Sequence, residues 1–300
     1  MSSGARRLRI RAGAWRRYAE RHQLVDRSHG SQSLVTVLAG HKPQLWPHTL
    51  PRIARAVPAG ADVCLTTAGI AQPELRAFAE QHGWSYLSTQ RGHVCVAQNL
   101  TLRAHPDARL VYKVDEDMFV SDGFFAALGA GYARVRQEAE YAVGFCSPTV
   151  NVNGFSYLDF VRHLGLEAEW RERFGAPRRG HYGVTAQRDG QAAVWLWSHG
   201  LPVDATAAAF ARRPFGYSVV PHRFSIGAIV YERDLWTQMG GFSCREPSPG
   251  LGEDEHHLAV ECSLQSRIIA VLDNLYAGHF SFGPQTGDMM AAYRDRLADF

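Results

Sequence analysis

The sequence predicts an α/β fold with a mostly parallel sheet and helices on both of its faces. Short apolar runs alternate with segments of helical period between residues 34 and 120, which is typical of consecutive strand-helix-strand units. The last run of this series ends in the acidic segment Asp115-Glu116-Asp117. Because open α/β sheets bind ligands at the carboxyl ends of their strands, the same pattern also predicts where a site lies.

The strands and helices of the first half can be assigned in chain order. The buried strands are short apolar runs bounded by turn residues, and we expect them at 33–40, 62–67, 84–88 and 108–114. The helices between and after them are expected at 45–57, 73–82, 94–104 and 122–137. Pro73 stands in a first helical turn, where proline is tolerated. A further strand is expected at 141–145.

Regular patterning is lost between residues 147 and 222 and returns afterwards. This middle segment is rich in Gly, Pro, Trp and Arg, and we interpret it as an insertion or second lobe. Its conspicuous aromatic residues are Trp170, Trp195, Trp197, Phe210 and Phe215. Such side chains suit sugar faces, although most aromatic residues simply belong to a core. A strand at 224–231, a helix at 233–239 and a strand beginning at 268 follow.

Composition excludes several classes of protein. A hydrophobic content of 46% and a charged content of 20% are ordinary for a globular chain. The net charge of +3 is too small to indicate nucleic-acid binding. The five cysteines are odd in number and lack Cys-x-x-Cys spacing, which argues against a disulfide framework or a zinc cluster. We expect them to be buried thiols.

Arginines crowd the N-terminal region, with Trp15 and Tyr18 between them: Arg6, Arg7, Arg9, Arg11, Arg16 and Arg17. Two interpretations stay open. The region is either an amphipathic arm packed on the domain or a surface that contacts acidic partners, peripheral membrane contact included. No apolar stretch follows the arginines, so we expect no signal peptide and no transmembrane segment, and a cytoplasmic protein.

The acidic segment is the strongest candidate site. Asp115 and Asp117 are two residues apart in an extended chain and therefore share a side, so both can bind one hard cation, Mn2+ or Mg2+. Lys113 shares the strand face of Asp115, and either a phosphate contact or a structural salt bridge suits it. An isolated Asp-x-Asp is a weak signal, so its surroundings decide the interpretation.

Three other segments support a site there. Arg91-Gly92 opens a predicted helix, and helix N-termini bind phosphate through their free N–H groups. The turn at Gly252 places Glu253 and Asp254 at the start of another helix, where one carboxylate can act as a general base. His279 ends an extended segment and can complete a metal shell.

In this order, the motifs resemble GT-A nucleotide-diphosphosugar glycosyltransferases, and most of all their inverting family-two group. That family has a Gly-x-x-x-Ala-Arg-Asn helix, an Asp-x-Asp strand, a Gly-Gly-Phe turn and a Glu-Asp pair, matched here over 33–145 and 222–282. The resemblance implies a Rossmann-like GT-A domain in four parts. These are a basic arm (1–32), a nucleotide-sugar-binding half (33–146), an acceptor-side insertion (147–222) and a catalytic C-terminal half (223–300).

The resemblance also implies roles for particular residues. Asp117 would bind the metal that bridges the two phosphates of the donor, with His279 completing the shell and Asp115 near the metal and the ribose or sugar. Asp254 would deprotonate the acceptor, and Glu253 would support it or exchange roles with it. Contacts to the nucleotide-sugar are implied for Ala39, Gly40, Arg91, Gly92, Asn99, Lys113, Asp115 and Glu116.

Some positions depart from the family pattern. Thr66-Thr67-Ala68-Gly69 replaces the usual acidic residue after strand two, Gln98 replaces an arginine, and Ala39-Gly40-His41-Lys42-Pro43 replaces a Pro-Tyr-Asn turn. The favoured function is transfer of a sugar, most simply from a UDP-sugar, to a glycan, small-molecule or peptide acceptor. The alternatives are a nucleotidyltransferase of the pyrophosphorylase type and a non-catalytic carbohydrate-binding protein on the same fold.

Overall fold

A computed structural model of the chain describes residues 21–243 and 252–300. The six N-terminal arginines, Cys244, and the start of the Gly250-Leu251-Gly252 turn lie outside the described residues. The four cysteines inside them, Cys64, Cys95, Cys146 and Cys262, are buried thiols, as the sequence predicts.

The described residues contain ten strands, all of which join one sheet. They are β1 (His22–Val25), β2 (Ser33–Leu38), β3 (Asp62–Ala68), β4 (Ser85–Thr89), β5 (Leu110–Asp115), β6 (Met118–Phe119), β7 (Val143–Val150), β8 (Tyr217–Val220), β9 (Ala228–Glu232) and β10 (Ile268–His279). Their order across the sheet is β1-β4-β3-β2-β5-β9-β7-β10-β6, and β8 pairs with β10 beside this path.

The helices within the same ranges cover the sheet and form the middle segment. They are α1 (Trp46–Ala56), α2 (Pro73–Gln81), α3 (Val94–Ala104), α4 (Phe124–Glu138), α5 (Tyr157–His163), α6 (Glu167–Phe174), α7 (Thr185–Arg188), α8 (Gly190–Gly200), α9 (Val203–Ala211), α10 (Arg233–Gln238), α11 (Glu253–Leu264) and α12 (Thr286–Asp295). A short 3-10 turn, Leu297–Asp299, follows α12. None of the helices that the structure describes is long and apolar enough to span a bilayer.

Six central strands run in one direction, which confirms the predicted mostly parallel sheet. β4, β3, β2 and β5 pair in parallel, and so do β7 and β10. β9 lies between β5 and β7 and is antiparallel to both, so β5 and β7 point the same way. The carboxyl ends of β2, β5 and β10 therefore meet at one edge of the sheet.

The strands bury side chains on both faces. In β2, Val35 and Val37 belong to one cluster with residues of α1, α2 and α4, while Leu34 belongs to a second cluster with α3, α10 and α11. Neighbouring residues of a strand point to opposite faces, so an apolar residue is needed at every position when helices cover both. This explains why the strands read as continuous apolar runs rather than as alternating patterns.

The middle segment is largely helical, and most of its aromatic residues are core residues. Trp170, Trp195, Trp197 and Phe210 are buried in a third cluster that also includes residues of β10 and α12. Phe215 packs against the central core, with the Arg134 guanidinium over its ring. These short helices bury aromatic side chains without a clean period, so sequence periodicity does not reveal them.

We expect Trp170→Ala to lower the free energy of unfolding by about 3–5 kcal/mol, the usual range for removing a buried tryptophan. The residue is 1% exposed and contacts Tyr157 and Trp195. Urea denaturation measures the change as a lower midpoint at an unchanged slope. Tyr182→Ala is the control, because Tyr182 is 63% exposed in the same segment and should change stability by less than about 0.5 kcal/mol. A Trp170→Ala protein of wild-type stability would contradict the core assignment.

Candidate functional site

The candidate site lies at the sheet edge where β2, β5 and β10 end. β5 ends at Asp115 and β10 ends at His279. The two-residue strand β6 pairs antiparallel with the end of β10 and places Met118 opposite His279. Asp117 immediately precedes β6, so this pairing brings the second aspartate of the acidic segment next to the histidine.

Asp117 is buried and forms an ion pair with Lys42. The Lys42 ammonium donates to Asp117 Oδ2 at 2.6 Å and to the Phe280 carbonyl, and it lies 3.8 Å from the centroid of the Phe282 ring. Burial alone would raise the pKa of Asp117, but the Lys42 ammonium opposes burial most strongly, and the pKa lies below its usual value. The carboxylate is therefore ionised.

The other oxygen of this carboxylate, Asp117 Oδ1, is buried and has no hydrogen-bond partner among the residues that the structure describes. A buried carboxylate oxygen without a donor is costly, by about 1–3 kcal/mol or more for a charged group. The position is consequently suited to a cation.

His279 places a nitrogen lone pair beside the Asp117 carboxylate. Its Nδ1 lies 3.2 Å from the Val152 carbonyl oxygen, and since a carbonyl only accepts, we assign the hydrogen of the neutral ring to Nδ1. Its Nε2 lies 3.6 Å from Asp117 Oδ2. Burial lowers the pKa of His279 in spite of the nearby Asp117, which favours the neutral ring with a bare Nε2.

Asp117 and His279 together fit a divalent cation. Oxygen and nitrogen ligands that lie about 2.0–2.2 Å from one metal ion are about 3.5 Å from each other. The separation between Asp117 Oδ2 and His279 Nε2 is close to that value, and the unpartnered Oδ1 adds a third donor atom. Nδ1–H donation to a carbonyl is also the usual outer contact of a metal-binding histidine.

Asp115 forms the second ion pair of the site, with the buried Lys113, and its own side chain is 30% exposed. The Lys113 ammonium lies 2.7 Å from its carboxylate and donates to the Ile226 carbonyl at 2.7 Å. Burial, together with Asp117 and Asp254, raises the pKa of Asp115 to about 7 although Lys113 opposes the shift. Of the two interpretations of Lys113, the structure therefore displays the salt bridge.

The chain has only two lysines, at positions 42 and 113, and each contacts one aspartate of the acidic segment. An ammonium is a compact point charge, whereas the planar guanidinium of arginine spreads its charge and its donors. Sequence reasoning missed the role of Lys42, which is 75 residues from Asp117. Two features of the sequence point to it: the rarity of lysine, and its position directly after a strand that ends at this edge.

Glu116 holds the loop that carries Lys42. Its carboxylate accepts hydrogen bonds from the backbone N–H groups of Gly40 and His41, at 2.9 and 2.7 Å, and from the Trp46 indole. Ala39 is buried and donates its N–H to the Thr66 carbonyl. These contacts place Glu116, Gly40 and Ala39 in the framework of the loop.

Asp254 lies in the first turn of α11 and belongs to the same charged cluster. It is 5% exposed, and its Oδ2 accepts a hydrogen bond of 2.8 Å from Gln98. Asp254 contributes to the raised pKa values of both Asp115 and Lys113, which puts it within electrostatic reach of the acidic segment. Gln98, a departure from the family pattern, thus contacts the predicted general base.

Glu253 faces a different set of side chains. Its Oε2 lies 3.7 Å from His93 Nε2, and Cys95 lies beside both residues. Burial raises the pKa of Glu253, and His93 and Cys95 act in the opposite direction. The two neighbouring acidic residues of α11 therefore have separate environments.

Asn99 supports the site from inside the protein. It is fully buried, its amide donates to the Phe242 carbonyl at 2.8 Å, and its carbonyl oxygen accepts from Phe242 N and the Trp236 indole. It thereby fixes the Gly-Gly-Phe turn that precedes α11. In this structure its polar atoms bind protein, so its contribution is positional.

Arg91 and Gly92 are exposed at the start of α3, where an incoming phosphate could reach them. Gly69 packs against this turn with φ +78°, and a Cβ on it would lie 2.3 Å from Gly92 N. Glycine is therefore required at position 69, both for its left-handed backbone and for the close approach of the two turns.

No protein-family model matches the chain, and no curated protein matches its sequence. Among solved structures, one similar chain is the mannosyltransferase PcManGT from Pyrobaculum calidifontis in complex with GDP-Man and Mn2+. The identity is 14%, the TM-score is 0.49, and the match covers 98% of this chain and 73% of the other. At this distance, the similarity carries no conclusion about the activity of this chain.

We expect Lys42→Met to reduce the free energy of unfolding by about 3–5 kcal/mol, because it leaves the Asp117 carboxylate buried without its ammonium. The double variant with Asp117→Asn should lose less than the sum of the two single variants, and a double-mutant cycle of chemical denaturation measures this coupling. The matched control is Arg55→Met, which removes one partner of the exposed Arg55–Asp122 pair and should cost at most about 1 kcal/mol. Strict additivity at Lys42 and Asp117 would contradict a buried ion pair.

Proposed function

We propose that the chain is a glycosyltransferase that moves a sugar from a nucleotide-diphosphosugar, in the first instance a UDP-sugar, to a hydroxyl or amine acceptor with inversion. The observation that carries the proposal is the meeting of Asp117, Lys42 and His279 at the carboxyl edge of the sheet. It combines an ionised carboxylate, a buried ammonium and an imidazole acceptor. A leaving diphosphate needs such cationic stabilisation as its charge grows.

The residues that would hold a divalent metal, Mn2+ or Mg2+, are Asp117, Asp115 and His279. Carboxylate oxygens suit both ions, and the unpartnered Asp117 Oδ1 supports their fit. When bound, the ion would stabilise the negative charge on the two phosphates of the departing nucleotide. Asp115 can join this set if the donor phosphates draw Lys113 away from it.

Lys42 adds a charge of its own to this step. Its ammonium neutralises Asp117, and if a divalent ion bound that carboxylate, the ammonium would become available to contact the diphosphate of the donor. The Phe282 ring, 3.8 Å from the ammonium, keeps the charge at the sheet edge. Lys42 thus serves both as a counter-ion and as a contact for the leaving group.

Asp254 is the base that we assign to the acceptor. Gln98 donates to its Oδ2 at 2.8 Å and so fixes the orientation of the carboxylate, and the helix N-terminus stabilises its negative charge. The acceptor would lose its proton to this carboxylate as its oxygen or nitrogen attacks the sugar carbon opposite the diphosphate. Glu253 supports the start of α11 from the other side, where its Oε2 lies 3.7 Å from His93 Nε2.

Two substitutions separate the roles of the aspartates. Asp117→Asn should abolish metal-assisted binding of UDP or GDP, because it weakens the carboxylate that holds the cation. Asp254→Asn should leave that binding unchanged and reduce turnover about a hundred- to ten-thousand-fold, the usual contribution of a positioned base. Isothermal titration of both nucleotides, with and without Mn2+, measures binding, and hydrolysis or transfer of a sugar-nucleotide panel measures turnover.

The same measurements can refute the proposal. Absence of binding for every nucleotide, or binding that Mn2+ does not affect, would contradict a metal-assisted transferase. Equal loss of nucleotide binding in both variants would contradict the division of roles. Release of pyrophosphate from a nucleoside triphosphate and a sugar phosphate would instead identify a nucleotidyltransferase.

Lys42→Met tests whether the ammonium and the metal compete for Asp117. In the absence of nucleotide, we expect this variant to bind Mn2+ at least about tenfold more tightly than the wild type, because a unit charge near the ion is removed. Electron paramagnetic resonance of free Mn2+ measures the affinity directly. The double variant with Asp117→Asn is the control and should lose the gain. Equal Mn2+ affinities in the wild type and Lys42→Met would show that the Lys42 ammonium does not compete with the metal ion for Asp117.

A further inference from the structure

His93, Cys95 and Glu253 form a cluster that sugar transfer does not use. One ligand atom from each, an imidazole nitrogen, a thiol sulfur and a carboxylate oxygen, lies within 4.8 Å of the others. His93 is the N-cap of α3, Cys95 lies in the first turn of that helix, and Glu253 is the first residue of α11. Two helix starts thus bring the neighbouring donors His93 and Cys95 together with Glu253, which is far from them in the chain.

The chemistry of the donor set indicates the ion. Zinc is bound by thiolate, imidazole and carboxylate ligands in a tetrahedron, whereas Mg2+ and Mn2+ favour oxygen and leave thiolates to softer metals. The ligands of a tetrahedral zinc ion are about 3.5 Å apart. The distance of 3.7 Å between His93 Nε2 and Glu253 Oε2 already matches, and small side-chain rotations would bring the sulfur to the same separation.

We propose that His93, Cys95 and Glu253 bind one zinc ion, at a site distinct from the one formed by Asp117 and His279, with a fourth position for water. The surroundings favour the required charges. Cys95 is fully buried, and the side chains of His93 and Glu253 are only 10% and 12% exposed. The positive ends of the two helices stabilise a thiolate and a carboxylate, and these two anions balance the charge of the ion.

His257 lies beside the sulfur. Its Nδ1 accepts from Ser243 N–H at 3.2 Å and lies 3.8 Å from Cys95 Sγ, while the Cys95 side chain forms a hydrogen bond with Glu253. When zinc binds, the S–H bond breaks, the zinc–sulfur bond forms, and the proton leaves to water. His93 would coordinate through an imidazole nitrogen and Glu253 through a carboxylate oxygen.

The proposed zinc ion would hold two helices together. A zinc ion would join the first turn of α3 to the first turn of α11, and Asp254 directly follows the ligand Glu253. Cysteine spacing does not reveal this site, since His93 and Cys95 form a His-x-Cys pair whose third partner lies 158 residues after Cys95 in the chain. The inference does not depend on sugar transfer.

Cobalt substitution gives the most direct test. The full chain is stripped with a chelator and titrated with Co2+, whose thiolate bond produces a charge-transfer band in the near ultraviolet. We expect one equivalent of Co2+ to produce the band in the wild type, and Zn2+ to displace it. Cys95→Ser should abolish the band. Cys262→Ser should keep it, because Cys262 is a buried cysteine of α11 that does not belong to the cluster.

Further variants distinguish the two metal sites. Asp117→Asn should keep the band, because that site contains no sulfur. His93→Ala and Glu253→Gln should each weaken Zn2+ binding at least about tenfold, because even residues that only hydrogen-bond to a metal ligand contribute that much to affinity. Competition with a chromophoric chelator measures the affinity. Zn2+ should raise the melting temperature of the wild type but not that of Cys95→Ser.

Three outcomes would overturn the proposal: no band in the wild type, a band that survives in Cys95→Ser, or equal Zn2+ affinity in all variants. If circular dichroism shows that Cys95→Ser is unfolded, His93→Ala and Glu253→Gln decide the question through their Zn2+ affinities.

Discussion

The buried ion pair between Lys42 and Asp117 is the interaction on which the arrangement of the site depends. Two charges are removed from water at this position, and such a pair is stabilising only when its remaining donors and acceptors are satisfied. The Phe280 carbonyl and the Phe282 ring serve the ammonium, while Asp117 Oδ1 has no protein donor among the described residues. The pair is therefore complete on the lysine side and incomplete on the aspartate side. The unsatisfied carboxylate oxygen lowers the stability of the fold, but it leaves a position where a second cation can bind.

The framework around the pair explains how it is held. Glu116 binds the loop after β2 and so positions Lys42, and the pairing of β6 with β10 positions Asp117 beside His279. Both devices connect segments far apart in the chain, and both lie at the edge where the parallel strands end. Lys113 and Asp115 repeat the ion pair on the strand itself. One edge of the sheet thus concentrates three carboxylates, two ammonium groups and an imidazole, and the low dielectric of the interior strengthens the coupling among them.

The sequence predicts the central sheet well and the supporting contacts poorly, for physical reasons. Helix α3 begins and ends as expected, and β2, β3 and α2 differ from expectation by one or two residues, because continuous apolar runs and proline mark them. The strand β6 has only two residues, too few to show a pattern, and the short strands β1 and β8 bury few side chains. Motif order correctly groups Asp117 with His279. It does not show that Asn99 and Glu116 turn their polar atoms inward, because residue type alone does not tell a ligand contact from a backbone contact.

The start of α11 shows how one turn of helix can serve two purposes. Successive helical residues point about 100° apart, so Glu253 and Asp254 cannot face the same partner. Glu253 turns to His93 and Cys95, and Asp254 turns to Gln98 and the charged edge of the sheet. His93, Cys95 and Gln98 all belong to the start of α3. The position of Asp254 is therefore determined by how α3 and α11 pack against each other. A cation bound by His93, Cys95 and Glu253 would fix the position of α3 relative to α11. It would thereby also fix the position of Asp254, because Asp254 is covalently linked to the ligand Glu253. No contact between the ion and the acidic segment is needed for this effect.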